Sequence, residues 1–441
     1  MLKVIKKVKN KKAAGPDGIQ AEHIKLGGPH LLRALTNLFN AMVAREHRPA
    51  LMKRGLIVPI PKGRKDCSIP DNNRGITLAS VIGKIYDSVL VARSDEWLHG
   101  VTDDLQGANH KNCSCTHTAM LLREMIAYGR ESNRTVYTAL LDVRKAFDQV
   151  WIDGLFYKLK HNGMDPKLWR ILRNACSNFQ CSVLVAGGTS RQFQPKQGIH
   201  QGDVWSMPLY CVFNNDMIKE LKSSMHATRL RAINCTCPTF VDDLSIVTWS
   251  KFALNFLLSI AYRYSKVWRF QFGAIKSFLL IFGKDQFPDV KVVLGNDVIK
   301  VSDTHMHVGI PLCTSKSAER KAIQGRVSVC TQTLCTIKGV TPVPLMLNPI
   351  SMSKLYWSLC VSKMTYGIEV WPIGRTGIDQ LEKVHNQCAK SIQGLPVQTS
   401  DPACHATLGW KTMEAHCDLY TLMFLWKLIA LPVSCIYTTN L

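Results

Sequence analysis

Two short apolar runs meet at a pair of adjacent acids in Cys237-Pro238-Thr239-Phe240-Val241-Asp242-Asp243-Leu244-Ser245-Ile246-Val247, a pattern that few backbone arrangements accept. Residues 240–247 are rich in β-branched and aromatic side chains, which suit a pleated, half-buried strand, while Asp tolerates the backbone angles of a tight turn. The stretch predicts a hairpin with Asp242 and Asp243 at its tip, near bulk water. Neighbouring carboxylates repel, so a site that keeps both ionised supplies cations, and hard oxygen ligands suit Mg²⁺. A lone Asp-Asp in a loop also reads as a solvated turn. A metal site needs a third carboxylate.

Thr135-Val136-Tyr137-Thr138-Ala139-Leu140-Leu141-Asp142-Val143-Arg144-Lys145-Ala146-Phe147-Asp148 supplies one. A near-continuous apolar run ending in an acid predicts a buried strand with Asp142 at its exit. Beside the hairpin, Asp142 and the Asp242/Asp243 pair could share two divalent ions roughly 3.5–4 Å apart, the arrangement for in-line phosphoryl or nucleotidyl transfer.

Between these blocks lies Lys196-Gln197-Gly198-Ile199-His200-Gln201-Gly202-Asp203-Val204-Trp205-Ser206-Met207-Pro208-Leu209-Tyr210. In chain order the three resemble the palm block (LDVRKAFD), QG block (QGIHQGD) and acidic-pair block (FVDD) of a reverse transcriptase, specifically that of non-LTR (LINE-type) retrotransposons. Ala13-Ala14-Gly15-Pro16-Asp17-Gly18-Ile19 looks like that family's N-terminal extension signature. Pro59-Ile60-Pro61-Lys62 and Asn73-Arg74-Gly75-Ile76-Thr77-Leu78 look like its fingers. Trp268 through Lys276-Ser277, and His307-Val308-Gly309-Ile310, resemble the blocks that close the palm. The resemblance covers roughly residues 10 to 315 in seven ordered blocks. It departs at Val241, where a small Ala is usual, and at Asn73, where an aromatic is usual.

The resemblance implies an α/β right-hand polymerase with fingers, an antiparallel-sheet palm packed on helices, and a helical thumb and C-terminal tail. Residues 1–135 would be N-terminal extension and fingers, 136–312 palm, and 313–441 thumb and C-terminal region. The implied reaction is RNA-directed DNA synthesis in retrotransposition, with RNA template, DNA primer and deoxynucleoside triphosphates as partners. Asp142, Asp242 and Asp243 would be the catalytic metal ligands for two Mg²⁺ ions, with Mn²⁺ an alternative. Lys62, Arg74, Phe147, Gln201, Gly202 and Lys276 would meet the nucleotide, the Phe147 ring lying under the incoming sugar. Without the resemblance, Lys62 and Arg74 read as a solvated basic loop with Arg64 and Lys65, and Phe147 as core.

Local patterns predict helices over 27–53, 82–98, 153–159 and 167–175, the last opened by Asp165-Pro166 as N-cap and first helical residue. A strand over 180–186, a helix from Pro208 to about Leu221, and helices over 356–371 and 381–393 follow. Residues 419–437 are apolar enough to raise a membrane span, but Lys427 and Pro432 interrupt them, and a buried helix pair with no membrane partner is the expectation.

The 55 basic and 32 acidic residues leave a net charge of +23, more than solubility requires, which predicts attraction to polyanions. With 441 residues, 46% of them hydrophobic, two or three cored domains are expected. The sixteen cysteines show no framework. Neither Cys113/Cys115 nor Cys235/Cys237 has a zinc-knuckle gap, and His385, Cys388, Cys404, His405 and Cys417 lack paired-ligand spacing. Reduced thiols in an intracellular setting, nucleus or cytoplasm, are expected, and the Lys-rich start carries no secretory signal. Nothing before Ala13 reads as the endonuclease that such elements usually carry, so the chain reads as a fragment or truncated copy. A second reading is an inactive remnant that only binds nucleic acid, and survival of all three acids favours the enzyme. A group II intron maturase shares the palm but adds a splicing and DNA-binding module, of which the sequence gives no sign.

Overall fold

The apolar run that ends at Asp142 folds as the strand Val136–Leu141, buried at every residue. It sits centrally in a five-stranded sheet ordered Lys300–Val301, Phe278–Phe282, Val136–Leu141, Asp243–Thr248, Thr239–Phe240. Both neighbours run antiparallel to it, with Ala139 opposite Leu279 on one side and Ile246 on the other. The helix Cys115–Glu131 covers these strands, and it approaches closely only because Gly129 has no side chain. A Cβ there would stand 2.3 Å from Val136 Cγ2 and 2.6 Å from the Trp249 ring.

The computed structural model describes residues 1–63, 66–185, 187–283, 291–340, 348–371, 373–432 and 435–438. They form two compact units, each assembled from three stretches of chain. The sheet just described belongs to the unit made of 111–142, 221–259 and 273–441. The same unit contains the C-terminal helices, in which Lys316–Val340 packs on Arg375–Gln393, and the latter on Asp401–Leu408 and Met413–Ile429. Aromatic rings fill the space between them: Tyr356 stacks on Trp410 with centroids 4.6 Å apart. His385 Nδ1 lies 3.0 Å from the Tyr356 hydroxyl, and its Nε2 lies 3.0 Å from the Lys411 carbonyl oxygen.

Two expectations for this region need correction. The helix over 356–371 is shorter and wider: Tyr356–Val361 winds as π-helix, Ser362–Met364 as a last α-turn, and the chain then turns. The buried helix pair over 419–437 is instead one helix, Met413–Ile429, that leaves Leu422, Trp426 and Ile429 63%, 73% and 62% exposed. Among the described residues no helix is long and apolar enough to cross a membrane.

The other unit comprises 1–110, 143–220 and 260–272. Its four-stranded sheet is ordered Asn73–Ala79, Arg54–Pro61, Gln180–Val185, Gly188–Thr189. The first two form an antiparallel hairpin, from Gly55 opposite Ala79 to Pro61 opposite Asn73, and Gln180–Val185 runs parallel to Arg54–Pro61. The helix expected over 27–53 ends at Ala44, and a 3₁₀ turn, Ala50–Lys53, leads into the sheet. The helix expected over 82–98 breaks at Ser94 into Val81–Arg93 and Asp95–Val101. Asp165 caps Pro166–Cys176 by accepting from the Leu168 N–H at 2.8 Å.

Lys158, on the helix Ile152–His161, is 1% exposed and ties three elements together. Its ammonium donates to the Phe213 carbonyl at 2.5 Å and to the Tyr264 hydroxyl, pairs with Asp216 at 3.2 Å, and lies 3.7 Å from the centroid of the Trp268 ring. Burial pushes its pKa down to about 8, against the pull of the Asp216 charge. None of the sixteen cysteines is joined in a disulfide.

Candidate functional site

The acidic hairpin is tighter than expected. Phe240 pairs with Asp243, so the two turn residues are Val241 and Asp242, and Asp243 is the first residue of the returning strand. Val241 takes the turn at φ 58°, a left-handed conformation that a β-branched residue adopts at a cost of about 1–3 kcal/mol. The Ser245 hydroxyl, fully buried, donates to the Pro238 carbonyl at 2.6 Å and holds the two arms together.

The third acid is delivered by strand pairing. Leu141 stands opposite Leu244, and one step further along each strand come Asp142 and Asp243. Beyond its strand, Asp142 is held through its backbone: its N–H donates to Ser277 Oγ at 3.2 Å, and its carbonyl accepts from the Gly273 N–H at 2.8 Å. Ser277 is fully buried and donates in turn to the Gly273 carbonyl at 3.0 Å. The adjacent Lys276 brings its ammonium to 4.0 Å from Asp142 Oδ2.

Asp243's carboxyl is pushed up to about 6, by desolvation first and then by the charges of Asp242 and Asp142. Among the described residues no three His, Cys, Asp or Glu side chains stand close enough to enclose one ion as they are placed. The donor chemistry fits a hard divalent cation nonetheless: three carboxylates on neighbouring strands repel one another, and such a cation relieves that repulsion.

The remaining sequence-predicted residues, Lys276 apart, belong to the other unit. Gln201 and Gly202 dock on the hairpin strand: the Thr77 N–H donates to the Gln201 carbonyl at 2.8 Å. Gly202 has φ +99°, and a Cβ on it would lie 3.3 Å from the Thr77 oxygen. The same loop grips the turn that follows Asp142 in sequence. The Gly198 and Ile199 N–H groups donate to the carbonyls of Val150 and Phe147, each at 2.9 Å. At Gly198, φ is +89° and a Cβ would stand 2.7 Å from the Asp148 oxygen, so only glycine fits. Phe147 is half-buried, its ring 5.1 Å from that of Tyr210. Lys62 donates to the Asp71 carbonyl at 2.9 Å, and Arg74 is exposed on the strand opposite Ile60. Arg64 and Lys65 lie outside the described residues.

Sequence reasoning missed two sets of residues. Ser277 and Gly273 position Asp142, and their only signal was a small polar residue beside Lys276. Asp71 and Lys145 form an ion pair of 2.7 Å, and Lys145 was legible only as a member of the block LDVRKAFD.

The family model described as "Reverse transcriptase (RNA-dependent DNA polymerase)" matches residues 60–306. The chain is 23% identical over 425 residues to the probable RNA-directed DNA polymerase from transposon X-element of Drosophila melanogaster, covering 93% of this chain and 45% of that one. It is likewise 23% identical over 416 residues to the RNA-directed DNA polymerase from mobile element jockey of Drosophila funebris, covering 91% and 44%. The chain thus spans about half the length of the curated relatives it matches. Among solved structures, apo telomerase from Candida tropicalis overlaps 93% of this chain and 67% of its own, with 12% identity and a TM-score of 0.46.

Proposed function

The chain belongs to the reverse transcriptase (RNA-dependent DNA polymerase) family, and on that premise we propose that it extends a DNA primer along an RNA template in non-LTR retrotransposition. The observation that carries this reading is the antiparallel pairing of Val136–Leu141 with Asp243–Thr248, which ends one strand at Asp142 and begins the next beside Asp242 and Asp243. Reverse transcriptases use divalent metal ions. Asp142, Asp242 and Asp243 would hold two of them, Mg²⁺ or Mn²⁺, whose chemistry when bound is activation of the attacking 3′-hydroxyl and charge relief at the leaving pyrophosphate.

The chain's own side chains do the rest. Lys62, Arg74 and Lys276 offer cations to the triphosphate, and Phe147 offers a ring to the sugar. Gln201 and Gly202 shape the backbone that meets the base pair. Residues to 135 would act as fingers, 136–312 as palm and 313–441 as thumb, and the net charge of +23 attracts the template. The test is primer extension on a homopolymer RNA template with Mg²⁺. Deoxynucleotide incorporation is expected, whereas a protein that binds the template and adds nothing would be a nucleic-acid-binding remnant.

A further inference from the structure

Asp71 lies on the one-turn 3₁₀ segment Pro70–Asn72, between the strands Arg54–Pro61 and Asn73–Ala79. Its carboxylate accepts from the Lys145 ammonium at 2.7 Å, and its backbone carbonyl accepts from the Lys62 ammonium at 2.9 Å. The same carboxyl is held below the usual range by the Lys145 hydrogen bond first, then by the charges of Lys145, Lys62 and Arg144. Two ammonium groups therefore bond Asp71, the Arg144 charge adds to their pull, and the same two lysines also act on the Asp148 carboxylate. Lys145 is presented at φ 43°, on the turn that the Gly198–Ile199 backbone grips.

We propose that Asp71 is an internal stand-in for a polyphosphate, occupying a cation cluster of Lys62, Arg144 and Lys145 until the triphosphate of a nucleotide displaces it. Resting on the polymerase reading, this adds a built-in competitor to the nucleotide site. The side chains of Asp71 and Lys145 are 66% and 50% exposed, so their pair is wet and exchanges readily. With Asp71 and the neighbouring Asp148 as carboxylates, the three cations keep one uncompensated positive charge. A triphosphate brings more negative charge than the carboxylate it replaces.

The plainer role for the pair is to staple the hairpin to the turn, and the two roles part on the sign of mutation. Breaking a staple from either side has the same effect. Removing a competitor strengthens anion binding, whereas removing a ligand weakens it. The measurement is calorimetric titration of the full chain with inorganic tripolyphosphate, without metal, at low salt. Asp71→Asn is expected to tighten binding about two- to fivefold, and Lys145→Ala and Arg144→Ala to weaken it by a similar factor, the size of an exposed ion pair. Circular dichroism checks that each variant is folded. Binding that changes in the same direction for Asp71→Asn and Lys145→Ala, or in neither, overturns the proposal. The titration needs no template or primer. Opposite shifts in a protein that extends no primer would leave the anion cluster standing and remove only the polymerase reading.

Discussion

The two sheets differ in how they meet water. Every residue of Val136–Leu141 is buried, and the adjoining Asp243–Thr248 is buried from Leu244 onward. In the Arg54–Pro61/Asn73–Ala79 hairpin only Gly55, Thr77 and Ala79 are buried, and the end near Lys62 and Arg74 is exposed. A buried sheet cannot slide or twist without opening voids, so it fixes carboxylates where a small misplacement would be costly. An exposed hairpin holds its cations on long side chains that can change partner. The comparison separates a rigid acidic site from an adaptable basic one, and each part of it can be attacked.

The largest effect is expected at the rigid site. Asp142→Asn or Asp242→Asn keeps the shape and removes the charge, so primer extension should fall by at least about a thousandfold, roughly 4 kcal/mol, while template binding persists. Full turnover in either variant would mean that these acids are not the metal ligands.

Acid should also separate the units. Burial pushes His117, His307 and His385 down to about 4, and all three lie in the unit with the acidic sheet. A histidine with a depressed folded pKa stays neutral when folded and takes up a proton when unfolded. Its stabilisation is full above the unfolded value near 6.5 and is lost as pH falls toward 4, at about 1–3 kcal/mol each. Hydrogen exchange should therefore show the segments around these histidines losing protection between about pH 6.5 and 4, ahead of those of the other unit. Equal loss in both units would sink the contrast.

Next comes Gly198→Ala, which sets a left-handed φ and a 2.7 Å clash against the Asp148 backbone. It should cost roughly 1–3 kcal/mol in chemical denaturation, more than Gly63→Ala, where the added methyl meets open space. The smallest effect concerns sugar choice. If Phe147 gates the sugar, Phe147→Val should preserve deoxynucleotide use and raise ribonucleotide use several-fold, about 1 kcal/mol of discrimination. An unchanged ratio in a folded, active variant would return Phe147 to a packing role against Tyr210.

The strand before Asp142 and the acidic hairpin were legible because each is a local pattern: a continuous apolar run, and a turn flanked by β-formers. The tip was less so. Two adjacent acids suggest a turn made of both, whereas Val241 takes a turn position at the expense of its backbone, and only cross-strand register decides that. The docking of Gln201 on Thr77 was invisible because it is a backbone-to-backbone bond, which no side chain announces. Lys158 reads as a solvent-facing lysine on an amphipathic helix. Its burial depends on a carbonyl, a hydroxyl and three rings contributed by segments about 50 to 110 residues away. The tail helix Met413–Ile429 is so evenly apolar that composition could not say which face would be covered.

Each unit is threaded from three separate stretches, and this has a consequence for how the chain is made. When a ribosome has released residues up to Asp142, the strand Val136–Leu141 is complete, but both strands that flank it are still untranslated. At about 5–20 residues per second, the first of them, Asp243–Thr248, follows roughly 5–20 seconds later. For that interval a six-residue run of Val, Tyr, Thr, Ala and Leu has no native neighbours to pair with. Nascent chains should therefore be chaperone clients, and no single internal truncation can release either unit as an independently folding piece.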